Sequence, residues 1–191
     1  EQFTEEMLGD GFDVGNMTPV RLPHTAKETP LHYFDESVYQ MVSGYRRDVY
    51  IPEEWKGKRL LLTIDGAAHE SEVYWNGKKI GEHHCGYTAF TMDISDDAVY
   101  GIRNTLVVKV DSRESVNIPP FGFVIDYMTY GGLYREVWLD IKEKTYLKDV
   151  FVRGDLSGDS GRLISEITAD GGGENLSVEQ KIKRCGESGY R

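Results

Sequence analysis

Residues 71 to 82 read Ser-Glu-Val-Tyr-Trp-Asn-Gly-Lys-Lys-Ile-Gly-Glu. Ser71, Val73 and Trp75 alternate with Glu72 and Tyr74, which is the period of a strand with one buried face. Asn76-Gly77 follows, and then a second short run from Lys78 to Glu82. Both central residues of a type I′ turn need positive φ, so Asn-Gly between two alternating runs predicts a β-hairpin. The same period recurs outward from this hairpin. Val49 and Ile51 end one strand, and Pro52 to Gly57 connect it to another at Leu60, Leu62 and Ile64. Further strands are predicted at Thr88 to Ile94, Leu106 to Val110 and Tyr134 to Ile141. In the last of these Val137, Leu139 and Ile141 share a face opposite Glu136 and Asp140. No segment longer than two turns has helical periodicity, and 21 Gly with 6 Pro punctuate the short segments. The fold class is all-β.

From about Lys142 the chain becomes Gly-rich and poor in aromatics. Strands are expected near Asp149 to Arg153, Arg162 to Thr168 and Leu176 to Lys183, with Gly171-Gly172-Gly173 as a loop. Three strands in about 50 residues amount to the first half of an immunoglobulin-type sandwich, which needs about seven strands. The expected domains are therefore 1–142, a complete sandwich, and 143–191, a truncated immunoglobulin-like one.

The 191 residues include 39% hydrophobic and 28% charged positions, with 12 Tyr, 7 Phe and 3 Trp, a composition that folds. Lys and Arg number 22 against 32 Asp and Glu, a net charge of −10 with no basic cluster. Partners that must be gripped through phosphates or anionic lipid are thereby disfavoured, so neither nucleic acid nor membrane is an expected partner. No apolar run approaches the roughly 20 residues of a bilayer span. Only Cys85 and Cys185 are present, which excludes a disulfide-stapled scaffold and a cysteine zinc site. A reducing cytoplasm is the expected compartment, although a removed signal peptide is compatible with the start at Glu1.

Several clusters occur in one order: Leu22-Pro23-His24-Thr25, Tyr33-Phe34-Asp35-Glu36, Gly44-Tyr45-Arg46-Arg47, Val73 to Lys78 with Gly81, Gly86-Tyr87-Thr88-Ala89-Phe90, and Asp126 with Tyr130-Gly131-Gly132-Leu133-Tyr134-Arg135-Glu136-Val137. The set, from about Pro19 to Leu139, resembles the N-terminal sugar-binding domain of the family 2 glycoside hydrolases, which include β-galactosidases, β-glucuronidases and β-mannosidases. The resemblance implies a jelly-roll sandwich similar to galactose-binding domains, then an immunoglobulin-like domain and a TIM barrel. It also implies a β-galactosidase-like parent enzyme. In that family two barrel glutamates perform retaining hydrolysis, one as acid/base and one as nucleophile. The acid/base glutamate follows an asparagine, whereas the five asparagines here, Asn16, Asn76, Asn104, Asn117 and Asn175, precede Met, Gly, Thr, Ile and Leu. The stretch is thus expected to bind or brace and to carry no catalytic residue.

What the resemblance assigns to this domain is a loop reaching the sugar, with the key residue nine positions before the Arg of the Gly-Gly-aliphatic-aromatic-Arg motif. That residue is Asp126. A carboxylate accepts hydrogen bonds from two neighbouring hydroxyls, and rings at Phe121, Phe123, Tyr127 and Tyr130 suit the C–H face of a sugar. Without the resemblance, an aspartate between Ile125 and Tyr127 reads as a turn or cap residue. Tyr127, Tyr130 and His32 are secondary candidates for substrate contact. No cofactor is required, but the resemblance allows a monovalent or divalent cation in the full-length enzyme, with Asp126 as a sodium ligand shared with the barrel. The implied partners are a β-linked sugar, the barrel of the same chain, and further copies in a homo-oligomer.

Other residues have simpler readings. His83-His84-Cys85 looks metal-like, but neighbours on a strand point to opposite faces and do not converge. Arg46, Arg47 and Arg135 are expected to pair with carboxylates inside the sandwich, and His24 to fix a turn. Trp75 and Trp138 read as core or edge packing. The alternatives to a glycosidase domain are an autonomous carbohydrate-binding module gripping sugar through the Asp126 loop, and a structural β-sandwich.

Overall fold

The computed structural model describes residues 2–28, 35–118, 129–173 and 176–183. The chain divides into two compact units, Glu1–Glu143 and Lys144–Arg191.

The first unit is a β-sandwich. Among the described residues one sheet has four strands in the order β1-β6-β3-β4: β1 is Val42–Ile51, β3 is Glu70–Trp75, β4 is Lys78–His83 and β6 is Ile102–Asp111. The other has three, in the order β5-β2-β7, with β2 at Arg59–Ile64, β5 at Phe90–Asp93 and β7 at Val137–Lys142. All pairings are antiparallel. Every connection except the β3–β4 hairpin crosses from one sheet to the other.

The alternation in the sequence explains the packing. Leu60, Leu62 and Ile64 of β2 meet Val73 and Trp75 of β3 and Leu106, Val108 and Val110 of β6 in one buried cluster. Each such side chain contributes about 1.5–3 kcal/mol by leaving water. The predicted hairpin turn is present, with φ of 49° at Asn76 and 77° at Gly77. Its asparagine is also tied to β6. Asn76 Oδ1 accepts from Thr105 N at 2.8 Å, and Asn76 Nδ2 donates to Asn104 Oδ1 at 2.8 Å. Asn104 is fully buried and closes the 98–102 turn, accepting from Val99 N and donating to Val99 O, both at 2.8 Å.

Val107 is buried although its neighbours Leu106 and Val108 face the core, because the amino-terminal segment covers the outer face of the larger sheet. The 3-10 turn Glu5–Leu8 buries Met7 there, and Phe3 stacks on Tyr74 with 6.3 Å between ring centroids. Arg46 serves this segment. Instead of a carboxylate, it binds the carbonyls of Met7 and Gly9, with its guanidinium 5.6 Å from the Phe12 ring. Arg135 likewise donates to the carbonyls of Asp65 and Tyr87. Carbonyls in irregular backbone lack ladder partners, and a five-donor guanidinium satisfies them, so the expected carboxylate pairing is corrected for both residues.

The second unit is an antiparallel hairpin of β8, Tyr146–Ser157, and β9, Ser160–Asp170. Both strands are longer than the sequence suggests. The strand expected at Leu176 to Lys183 is absent among the described residues, where that stretch joins no ladder and Gln180 Nε2 donates to Ser165 Oγ at 2.7 Å. Its alternation is a local property, whereas a strand exists only with a neighbour to bond.

Candidate functional site

Four of the clusters singled out in the sequence converge at one end of the first sandwich, where β6 leaves the sheet and the chain returns through Tyr130-Gly131-Gly132. Ser112 is fully buried there. Its N–H donates to Met41 O at 2.9 Å and its hydroxyl to Ala68 O at 2.6 Å. Gly132 closes the same knot, its N–H donating to Ser112 Oγ at 3.2 Å while its carbonyl accepts from Ala68 N at 3.0 Å. The two glycines are required by this approach. A Cβ on Gly131 would stand 2.6 Å from Ser112 Oγ, and Gly132 has φ of +91° with the Tyr45 hydroxyl where its Cβ would be.

The Leu22-Pro23-His24-Thr25 cluster braces the other side. His24 N donates to Leu133 O at 2.8 Å and Ala26 N to Gly131 O at 2.9 Å. His24 Nδ1 and Tyr45 Oη are 2.9 Å apart. Burial is the main cause that lowers the His24 pKa, and burial raises that of Tyr45. His24 thus fixes a backbone return, as its position after Pro23 implies. The Gly86-Tyr87 cluster is held by the next residues of the same motif, with Tyr134 Oη donating to Gly86 O at 2.5 Å and Arg135 to Tyr87 O at 3.1 Å.

This platform fixes both approaches to residues 119–128. On the outgoing side Asp111 takes Arg113 in a bidentate pair, with Nε to Oδ1 at 2.9 Å and Nη2 to Oδ2 at 2.6 Å. Gln40 Oε1 accepts from Glu114 N at 2.7 Å, and an antiparallel bridge joins Ser115 to Ile118. On the return side Tyr130 sets its ring edge-on to the buried Tyr39, 6.2 Å between centroids, and remains 46% exposed. An exposed ring on a rigid base is what a sugar-stacking residue requires.

Asp126, Tyr127 and His32 lie outside the described residues, as do Phe121 and Phe123. Tyr130 is the sequence candidate placed on the platform. Among the described residues no group of three or more His, Cys, Asp or Glu is disposed to hold a metal ion. His83 Nε2 lies 2.8 Å from Thr88 Oγ1 and its ring stacks on Phe90, while His84 turns to Glu70 and Glu82 at 3.5 and 3.4 Å. Trp75 is core at 1% exposure, and Trp138 is half-exposed, its Nε1 donating to the Asp65 carboxylate at 3.2 Å.

One residue of the platform has no signal in the sequence. His69, 4% exposed, donates its backbone N–H to Asp111 O at 2.8 Å, and its Nδ1 has no partner. Burial, opposed by the Asp111 charge, keeps its imidazole below the usual histidine range. A single histidine after Ala67-Ala68 carries no motif, so only the fold reveals it as a buried group beside Asp111.

Residues 11–142 match the family described as "Glycosyl hydrolases family 2, sugar binding domain". A β-galactosidase of Thermoanaerobacter pseudethanolicus is 44% identical over 164 residues, which is 85% of this chain and 22% of that protein. A β-glucuronidase of Bacteroides fragilis is 34% identical over 155 residues, 81% of this chain and 21% of the relative. Among solved structures, a calcium-binding mutant of Bacteroides uniformis β-glucuronidase 2 superposes with a TM-score of 0.80 at 28% identity, covering 90% of this chain and 21% of the other. The chain spans about a fifth of the length of the curated relatives it matches.

Proposed function

The chain belongs to family 2 of the glycosyl hydrolases, and from that premise we propose that it is the non-catalytic sugar-binding part of a retaining β-galactosidase, supplying one wall of the sugar subsite. The observation that carries this reading is the anchored base of residues 119–128. Ser112, Ala68 and the Gly131-Gly132 pair hold the return of the chain, and Gln40 and the Ser115–Ile118 bridge hold its departure. The flanking residues Ser112 and Gly131-Gly132 are thus held by the sandwich, and a ligand that contacts them meets groups already ordered.

In this reading Asp126 accepts hydrogen bonds from two adjacent sugar hydroxyls and Tyr130 lies along the sugar. The two glutamates that carry out hydrolysis come from a TIM barrel of the longer protein, which the sandwich braces within a homo-oligomer. Where a cation is used, Asp126 shares it with barrel groups. Galactose is preferred to glucuronate as the substrate sugar because identity is higher to the β-galactosidase than to the β-glucuronidase, 44% against 34%, over similar shares of the chain.

The test is turnover of matched aryl β-galactoside and aryl β-glucuronide by the full-length protein. Preference for the galactoside is expected, and preference for the glucuronide would overturn the assignment of sugar.

A further inference from the structure

Three outward-facing residues of the smaller sheet form a row that the sugar site described above does not use. On β2, Leu62 and Ile64 point into the core, so the two-residue period turns Thr63 outward, and Asp65 just past the strand end follows it. Thr63 pairs in register with Trp138 of β7 on one side and with Thr91 of β5 on the other. The indole does not stand away from the sheet. Its Nε1 donates to the Asp65 carboxylate, 3.2 Å from Oδ1 and 3.3 Å from Oδ2, which draws the ring sideways across Thr63. Thr63 is accordingly only 6% exposed despite its outward position. Trp138 itself is 43% exposed, so a fixed indole keeps a face to solvent.

The groups around the ring are polar and incompletely used. Thr63 Oγ1 and Thr91 Oγ1 are 2.8 Å apart, and one hydrogen shared between them leaves the other hydroxyl hydrogen free to donate. Thr91 is exposed. The Asp65 carboxylate has about four lone-pair directions and, among the described residues, accepts only the indole N–H. Other carboxylates of this face have cations: Asp93 is paired with Arg59 and Asp140 with Lys142, each at 2.6 Å. Arg135 is engaged by the carbonyls of Asp65 and Tyr87 and by the Tyr134 ring.

We propose that this row is a second sugar site: the exposed face of Trp138 stacks on the C–H face of a neutral hexopyranose unit of an oligosaccharide, Asp65 accepts hydrogen bonds from its hydroxyls, and the Thr63–Thr91 pair bonds a further one.

The chemistry of the row selects a sugar over other occupants. A pyranose carries an apolar C–H face and a rim of O–H groups on one ring, which matches an indole bounded by an acceptor-only carboxylate and a hydroxyl pair. A protein partner needs a continuous apolar patch, whereas the neighbours of Trp138 here are Thr63, Thr91 and Asp65. The carboxylate beside the ring repels a uronate, so the unit is a neutral sugar. Galactose suits it, because its axial O4 leaves the C3, C4 and C5 hydrogens together on one face. The indole is already held in place, so binding does not have to order it. The site uses neither Asp126 nor a catalytic residue, and its test is independent of the function proposed above.

The experiment titrates the 191-residue protein with methyl β-galactopyranoside and with β-1,4-linked galactotetraose, following the indole N–H signals by NMR. A saturable shift of the Trp138 signal at millimolar sugar is expected, with Trp55 and Trp75 unmoved. Trp138→Ala should weaken binding at least about tenfold. Asp65→Asn, which keeps an oxygen for the indole N–H, should weaken it about threefold, and methyl β-glucuronide should bind at least about threefold more weakly than the galactoside. Asp126→Asn should leave binding unchanged. Four results would overturn the proposal: equal binding by a folded Trp138→Ala protein; no saturation by about 100 mM sugar; loss of binding in Asp126→Asn, which would place the sugar on that loop instead; or tighter binding of blocked lysine at the same indole, which would make the row a cation site.

Discussion

Gly132 leaves room for the Tyr45 hydroxyl: the glycine carries φ of +91°, and a Cβ on it would clash with that hydroxyl. Tyr45 is hydrogen-bonded to His24, and Gly132 to Ser112 and Ala68, so moving either partner disturbs these bonds. Gly132→Ala is therefore expected to lower the stability of the first unit by about 1–3 kcal/mol, the range for a strained backbone site with a steric conflict. Gly154→Ala is the control, because nothing lies within 4 Å of its Cβ position. Urea denaturation should separate the two clearly, and equal midpoints would contradict the account of the platform.

Asn104 is a second point of sensitivity. Asn104→Leu keeps the branched shape at a fully buried position but takes away the partners of Val99 N–H and C=O and of the Asn76 amide. The expected cost is about 2–4 kcal/mol, read as a lower thermal midpoint. A loss below about 0.5 kcal/mol would show that water replaces the asparagine there.

Acid should weaken the fold through two kinds of group. His24, His69 and His83 all have pKa values lowered from 6.5, first of all by burial. The unfolded chain therefore binds more protons than the folded one just below pH 6.5. Stability is complete above that pH and falls as pH drops below it, until the folded-state values are passed. Glu72 behaves differently. Hydrogen bonds from Lys109 and then Lys79 lower it from 4.5 to about 2, so its contribution is lost only between those values. Urea midpoints measured from pH 8 to 5 should fall below 6.5, and His69→Gln should flatten that slope. A midpoint that rises on acidification would reverse the sign assigned to burial.

The 191 residues by themselves should hydrolyse no glycoside, since general acid and nucleophile together provide most of a glycosidase's rate enhancement and no Asn-Glu pair occurs in the sequence. Turnover of an aryl β-galactoside that scales with the purified protein would refute this.

Much of the first sandwich is legible in the sequence because its signals are local. The Asn76-Gly77 turn needs only its own backbone, and β2 and β7 announce their buried faces through Leu60, Leu62, Ile64 and Val137, Leu139, Ile141. The illegible parts depend on distant partners. Gly131-Gly132 is visible as a motif, but the reason for it lies in Tyr45 and Ser112, far away in the chain. The sequence points Arg46 to a carboxylate, yet its partners are carbonyls of an amino-terminal segment with no strand pattern. Leu176 to Lys183 has the alternation of a strand but joins no ladder among the described residues. At the candidate site, Tyr130 could be named from its motif, whereas His69 is defined only by what surrounds it.

The central claim is that this sandwich holds Asp126 against the bound sugar, and kcat/KM of the full-length Asp126→Asn enzyme tests it most directly. Charge-assisted hydrogen bonds contribute roughly 1.5–3 kcal/mol each, so a loss of roughly tenfold to a hundredfold is predicted, smaller for a substrate lacking the contacted hydroxyl. Wild-type kcat/KM in a folded Asp126→Asn enzyme would contradict the account.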